Sequence, residues 1–218
     1  MLELLLPERC AICSQPGASL CSTCRVALVR LHAPVCGRCG SPGPWPVRRC
    51  AECSGRRLSF TTARAAIAYD ARTRAFVREW KERGRRKLAR HAAELVAEVV
   101  PRPACVALTF VPGDPKRARQ RGDVPPQGLA RELGARWELP IVEILRRERG
   151  LPPQRGLTLA ERRGNARGAV GATGEAPRVV VLVDDVYTSG ATANACAGAL
   201  RTAGARRVEV VTLARAVR

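Results

Sequence analysis

Residues 179–200 read VVVLVDDVYTSGATANACAGAL. Five apolar residues run into two adjacent acids, Asp184 and Asp185, and then into the small stretch Thr188-Ser189-Gly190-Ala191-Thr192. A short continuous apolar run bounded by turn residues predicts a strand buried on both faces, here 178–183, and the alanine-rich segment 190–203 predicts a helix. Two like charges at the end of a buried strand repel each other and lose solvation. The hydroxyls of a ribose, a Mg2+ ion, or both would offset that cost, because an ionised carboxylate only accepts. Small residues at 188–192 let backbone amides converge on a phosphate at the positive end of the following helix. A helix N-cap is the ordinary explanation for an acid after a strand, but it does not account for two acids followed by this loop.

Outward from that stretch, short apolar runs alternate with longer amphipathic ones. ARAAIAY (63–69), CVALTFV (105–111), PIVEIL (140–145) and RVEVVTLA (207–214) read as further strands. Residues 73–99 read as helical with a break near Gly84, and 127–136 as another helix after a basic loop rich in Gly and Pro. Apolar strands alternating with helices predict an α/β fold, a parallel sheet covered on both sides by helices. Such sheets bind ligands beyond the carboxyl ends of their strands, which is where the two acids fall.

Before residue 58 the pattern is different. Eight of the ten cysteines form four C-x-x-C pairs: Cys10/Cys13, Cys21/Cys24, Cys36/Cys39 and Cys50/Cys53. Two residues between thiolates let both sulfurs reach one ion, and two such knuckles complete a tetrahedral four-cysteine zinc site. The expectation is a module over 1–57 holding two structural Zn2+ ions, followed by a second domain over 58–218. Consecutive pairing gives one site from Cys10, Cys13, Cys21 and Cys24 and another from Cys36, Cys39, Cys50 and Cys53, and an interleaved cross-brace is the rival. Disulfides fit less well, since MLELLLPERC is too short an apolar run for a signal peptide or a membrane span and points to a cytoplasmic chain without one. Cys105 and Cys196 stand alone and read as core residues.

The chain has 218 residues, 46% of them hydrophobic, and a formal net charge of +19. Of its 38 cationic residues only Lys81, Lys87 and Lys116 are lysine. A field of this sign attracts polyanions, although arginine replacing lysine on solvated faces in a GC-rich coding background produces the same count. Eight aromatic residues are too few to show a base-stacking platform in the sequence.

VVLVDDVYTSGAT (180–192) resembles the signature by which type I phosphoribosyltransferases bind phosphoribosyl pyrophosphate (PRPP) with Mg2+. The resemblance implies that Asp184 and Asp185 hold the ribose 2′- and 3′-hydroxyls, and that Thr188, Ser189, Gly190, Ala191 and Thr192 hold the 5-phosphate. The whole chain resembles the ComF competence-protein family, through LCSTC (20–24), APVCGRCGSP (33–42), Tyr69 followed by a helix ending at Lys81, LPPQRGLTLAERRGNARGA (151–169) and VTLAR (211–215). That family joins a cysteine-knuckle zinc module to a phosphoribosyltransferase-like domain. Its resemblance implies Lys81, Arg117 and Arg121 on the pyrophosphate side, and a motif containing Gln154, Arg162 and Asn165. It also implies partners in DNA uptake, namely single-stranded DNA and competence-machinery proteins. The chain departs from the family pattern after the second strand, where FVPGD (110–114) replaces a Pro-Val-Pro-Leu-His run and Asp123-Val124-Pro125 replaces Phe-Asn-Gln after Arg121-Gly122. The reading is therefore firmer for PRPP binding than for transfer. A non-enzymatic zinc-ribbon nucleic-acid-binding protein and an active nucleobase-salvage transferase are the alternatives.

Overall fold

The computed structural model describes residues 8–114, 124–147 and 170–217. In chain order its strands are β1 (Thr62–Ala68), β2 (Ala107–Phe110), β3 (Leu145–Arg147), β4 (Val170–Ala172), β5 (Val179–Tyr187) and β6 (Arg207–Arg215). Its helices are α1 (Ser22–Val26), α2 (Ala71–Lys81), α3 (Leu88–Val99), α4 (Pro125–Trp137) and α5 (Ala191–Thr202). Four strands form a parallel sheet in the order β1-β6-β5-β2. This is the expected parallel sheet flanked by helices.

The alternation of side chains along a strand sorts the sheet's two faces. Val181 and Val183 of β5 pack with Leu108, Val211 and Leu213 against α3 and α4, whereas Val180 and Leu182 pack with Val208 and Val210 against α5. Helix α3 supplies Leu88, Ala92, Leu95 and Val96, spaced i, i+4, i+7 and i+8, so one apolar stripe faces the core and all four are fully buried. Each large apolar side chain buried in this way contributes roughly 1.5–3 kcal/mol. The predicted helical segment 73–99 divides as expected, with Gly84 at φ 63° between α2 and α3.

Two elements differ from expectation. PIVEIL is not a full strand of the sheet: it touches the outer edge of β2 through a single parallel bridge from Ile141 to Leu108. Pro140 lacks the N–H that would extend the ladder, and the chain then turns into β3, which pairs antiparallel with β4 as a separate ribbon. Strand β5 does not stop at Val183, but carries both acids within it and ends at Tyr187, because β6 pairs with it as far as Arg215.

The N-terminal module covers the free edge of β1. The Leu31 and Ala68 amides donate to the Ala66 and Val29 carbonyls, and the Ala63 amide donates to the Arg38 carbonyl. Cys10, Ala11, Leu20, Cys24 and Leu28 share one apolar core with α3. Arg25 and Arg30 pair with Glu94 and Glu98 on the same helix. Among the described residues no helix is long and apolar enough to cross a membrane.

Candidate functional site

A cleft of about 580 Å³ opens at the carboxyl ends of the strands. Strand β5 places Asp184 and Asp185 in its floor, and Thr188 and Thr192 line the side toward α5. Helix α2 runs from the end of β1, capped by Asp70 accepting from the Thr73 amide at 2.8 Å, and delivers its last residue to the acids. There Lys81 Nζ donates to Asp185 Oδ2 at 2.5 Å. Asp184 and Asp185 are 7% and 4% exposed, so the pair holds its charge only against a strong desolvation penalty.

That penalty sets the titration of the site. Burial, together with the charge of Asp185, raises the Asp184 carboxyl well above its ordinary range, and Lys81 offsets only part of this. Burial opposes the charge on Lys81, but the two acids outweigh burial and raise its pKa. Lys81 is thus the cation paired directly with Asp185, and Asp184 keeps its proton to a higher pH than an ordinary aspartate. A ligand offering hydroxyl donors or a divalent cation would displace that proton.

The loop after β5 has the backbone that a phosphate cradle needs. Gly190 sits at φ 72° as the N-cap of α5 and makes no side-chain cap hydrogen bond. In the first turn of α5, at the positive end of the helix, the Ala191 amide donates to the Ser189 hydroxyl at 3.3 Å. A Cβ on Gly190 would overlap the Tyr187 ring and hydroxyl, so both the backbone angle and the space require glycine.

Of the residues expected on the pyrophosphate side, Lys81 faces the cleft, whereas Arg117 and Arg121 lie outside the described residues, as do Gln154, Arg162 and Asn165 of the separate motif. The structure adds three cations that the sequence reading did not single out, Arg74, Arg78 and Arg147. Arg74, Arg78 and Lys81 are spaced i, i+4 and i+7, which places them on one face of α2 and was readable as a basic stripe. Arg147 arrives from β3 and donates to the Pro112 carbonyl at 3.1 Å.

The eight knuckle cysteines gather into two clusters with the consecutive pairing, each with its four sulfurs within 4.8 Å of one another. A tetrahedral site with Zn–S bonds of about 2.3 Å has sulfur–sulfur edges of about 3.8 Å. The measured separations are 3.8 Å for Cys13–Cys21, 3.6 Å for Cys36–Cys53, 3.5 Å for Cys39–Cys50 and 3.9 Å for Cys50–Cys53. Backbone amides point at sulfur, with Cys24 N 3.5 Å from Cys21 Sγ and Cys50 N 3.3 Å from Cys36 Sγ. Burial opposes ionisation of Cys10 and Cys36, but hydrogen bonds from surrounding amides and thiols outweigh it and bring each thiol to about 6. Burial and the neighbouring sulfurs push Cys24 the other way, which is the frustration that a dication relieves. Cys196 is fully buried and Cys105 half-buried at the edge of the core.

Comparison with known proteins agrees with the two cysteine clusters. Residues 1–55 match the double zinc ribbon domain family. Competence protein F of Haemophilus influenzae is 28% identical, with 90% of each chain covered. DNA utilization protein YhgH of Salmonella typhi is also 28% identical, over 97% of this chain and 99% of that one. Among solved structures, an allosteric regulatory enzyme of purine biosynthesis aligns with 58% of this chain and 25% of its own at 21% identity and a TM-score of 0.39. The protein TT1426 from Thermus thermophilus aligns with 58% of this chain and 82% of its own at 19% identity and a TM-score of 0.35. The chain is thus similar, over nearly all of its length, to Competence protein F and DNA utilization protein YhgH, and joins a double zinc ribbon to a parallel sheet flanked by helices.

Proposed function

We propose that this is a PRPP-binding, phosphoribosyltransferase-like protein of the competence and DNA-uptake type. The observation that carries the reading is the pairing of Asp184 and Asp185, buried in the floor of the cleft, with a glycine-capped helix start a few residues further along the chain. In this reading the two carboxylates accept from the ribose hydroxyls, and the backbone of Thr188–Thr192 receives the 5-phosphate. Lys81, Arg74 and Arg78 face the pyrophosphate, and Mg2+ bound with PRPP supplies further neutralisation of that charge. The chain's contribution is positioning and electrostatics, which is also what transfer at the anomeric carbon would draw on. Residues 1–57 act as the metal-organised module and residues 58–218 as the PRPP module. Calorimetry of the zinc-loaded protein with PRPP and Mg2+ tests the reading. Saturable heat that disappears in Asp185→Asn is expected, and no heat, or heat unchanged by the substitution, overturns it.

One observation favours a second reading, contact with single-stranded DNA through the zinc module. Trp45 is 67% exposed on the second knuckle pair, whose surface also carries Arg38, Arg48 and Arg49 around one shallow pocket. An exposed indole on a module that also presents arginines offers a base-stacking face and phosphate contacts. Oligonucleotide affinity that falls steeply with salt and weakens in Trp45→Ala supports it, and a flat salt response rejects it.

A further inference from the structure

The second four-cysteine cluster and the loop Thr188–Thr192 are far apart in sequence and tied together at two points. Arg215, the last residue of β6, is 1% exposed. Its Nη1 donates to the Cys39 carbonyl at 2.6 Å, and its Nη2 to Glu52 at 2.6 Å, with Cys39 Sγ 3.8 Å away. The same guanidinium lies 4.6 Å from the centroid of the Tyr187 ring, whose other neighbour is the edge of Phe60. Tyr187 is the residue that leaves no room for a Cβ at Gly190. The second tie is Arg56, joined by its amide to the Cys53 carbonyl and donating its Nη2 to the Ser189 carbonyl at 2.8 Å. Just beyond both, the Ser59 amide donates to Asn194 Oδ1 on α5 at 2.7 Å.

We propose that the second four-cysteine site holds the loop Thr188–Thr192 in its phosphate-receiving shape, with Arg215 and Arg56 as positioning residues that carry the geometry of the metal site to the loop. The proposal rests on reading the cleft as a PRPP site. A zinc ion with four thiolates carries a net charge of about −2, and Arg215 is the buried cation that faces it. With the sulfurs protonated and the metal gone, that guanidinium keeps Glu52 but loses the anionic cluster that fixes its other edge. Tyr187 and Gly190 then lose the wall they pack against, while the Arg56 tie loses its fixed anchor at Cys53. The arginine contacts around the first cluster run elsewhere, from Arg25 to Glu94 and Glu98 on α3.

The test compares the zinc-loaded full chain with Glu52→Gln, Arg56→Ala and Arg56→Lys, and with Arg25→Ala as a control on the first cluster. Zinc content is measured in each, amide hydrogen exchange is followed in a peptide covering residues 186–195, and PRPP binding is titrated with Mg2+. Loss of one charge-assisted hydrogen bond predicts about tenfold faster loop exchange in Glu52→Gln and Arg56→Ala at unchanged zinc content. Exchange returns toward wild type in Arg56→Lys, which keeps a donor, and does not change in Arg25→Ala. PRPP affinity is expected to weaken in the same two variants. Loop exchange unchanged in both, or raised equally by Arg25→Ala, overturns the coupling whatever PRPP does. Faster loop exchange together with no PRPP binding by the wild type leaves the coupling standing and overturns the PRPP reading instead.

Discussion

Replacing Gly190 by alanine is a sharp test of how the loop Thr188–Thr192 is built. Its φ of 72° costs an L-residue roughly 1–2 kcal/mol. The added methyl would also overlap Tyr187 Oη and Cζ and lie 3.0 Å from Cε2. Tyr187 is 3% exposed and held between Phe60 and Arg215, so it has nowhere to move, and overpacking of this kind costs about 1–3 kcal/mol. Together these predict a loss of about 2–5 kcal/mol, a large share of the roughly 5–15 kcal/mol typical of a folded domain. Urea unfolding at constant zinc, followed by tryptophan fluorescence, measures it, since Trp80 and Trp137 are buried in the core. The clash and the backbone strain separate in a Tyr187→Leu background, where Gly190→Ala should cost only about 1–2 kcal/mol, the strain of the left-handed backbone. A Gly190→Ala protein within about 0.5 kcal/mol of wild type, or an identical loss in the Tyr187→Leu background, refutes the reasoning.

Other expectations follow from the same contacts. An acid whose pKa is raised in the fold adds stability that is complete below its unfolded value and lost as pH rises through the folded one. The Asp184 contribution is therefore lost upward from about pH 4. Where pH is low enough for Asp184 to hold its proton, Mg2+ and PRPP should release it on binding, seen as a buffer-dependent heat that Asp184→Asn removes; heat independent of the buffer at every pH contradicts the raised Asp184 carboxyl. Lys81→Met leaves Asp185 buried without its cation, but Lys81 is 41% exposed. The expected loss is therefore only about 1–2 kcal/mol in urea unfolding, below that for a fully buried pair, and no loss would show the pair to be idle. Two zinc ions per chain should be found by elemental analysis, with Cys13→Ser and Cys50→Ser each losing one; loss of both from either substitution contradicts two separate sites.

The parts of the site that are contiguous in the chain were legible in its sequence. Asp184 through Thr192 form one strand-loop-helix unit, and the knuckle cysteines carry their chemistry in their spacing. What was not legible is what the fold brings together from a distance. Arg215 meets Glu52 across 163 residues and Tyr187 across one strand pairing. In a chain with 35 arginines, nothing in the residue type distinguishes this buried one from a solvated one. The VTLAR ending was recognisable as a resemblance, but its contact with the second cysteine cluster depends on β6 lying between β1 and β5. The end of β5 is hidden in the sequence because adjacent charges resemble the end of a buried strand. Pairing with β6 carries the strand past both acids, while the cleft and Lys81 receive their side chains.

A crystal structure of the zinc-loaded chain with PRPP and Mg2+ tests the central claim most directly. The account predicts the ribose hydroxyls within hydrogen-bonding distance of Asp184 and Asp185, the 5-phosphate on the amides of residues 188–192, and Lys81 turned from Asp185 toward the pyrophosphate. PRPP bound elsewhere, or a cleft still closed by the Lys81–Asp185 pair at saturating ligand, would contradict it.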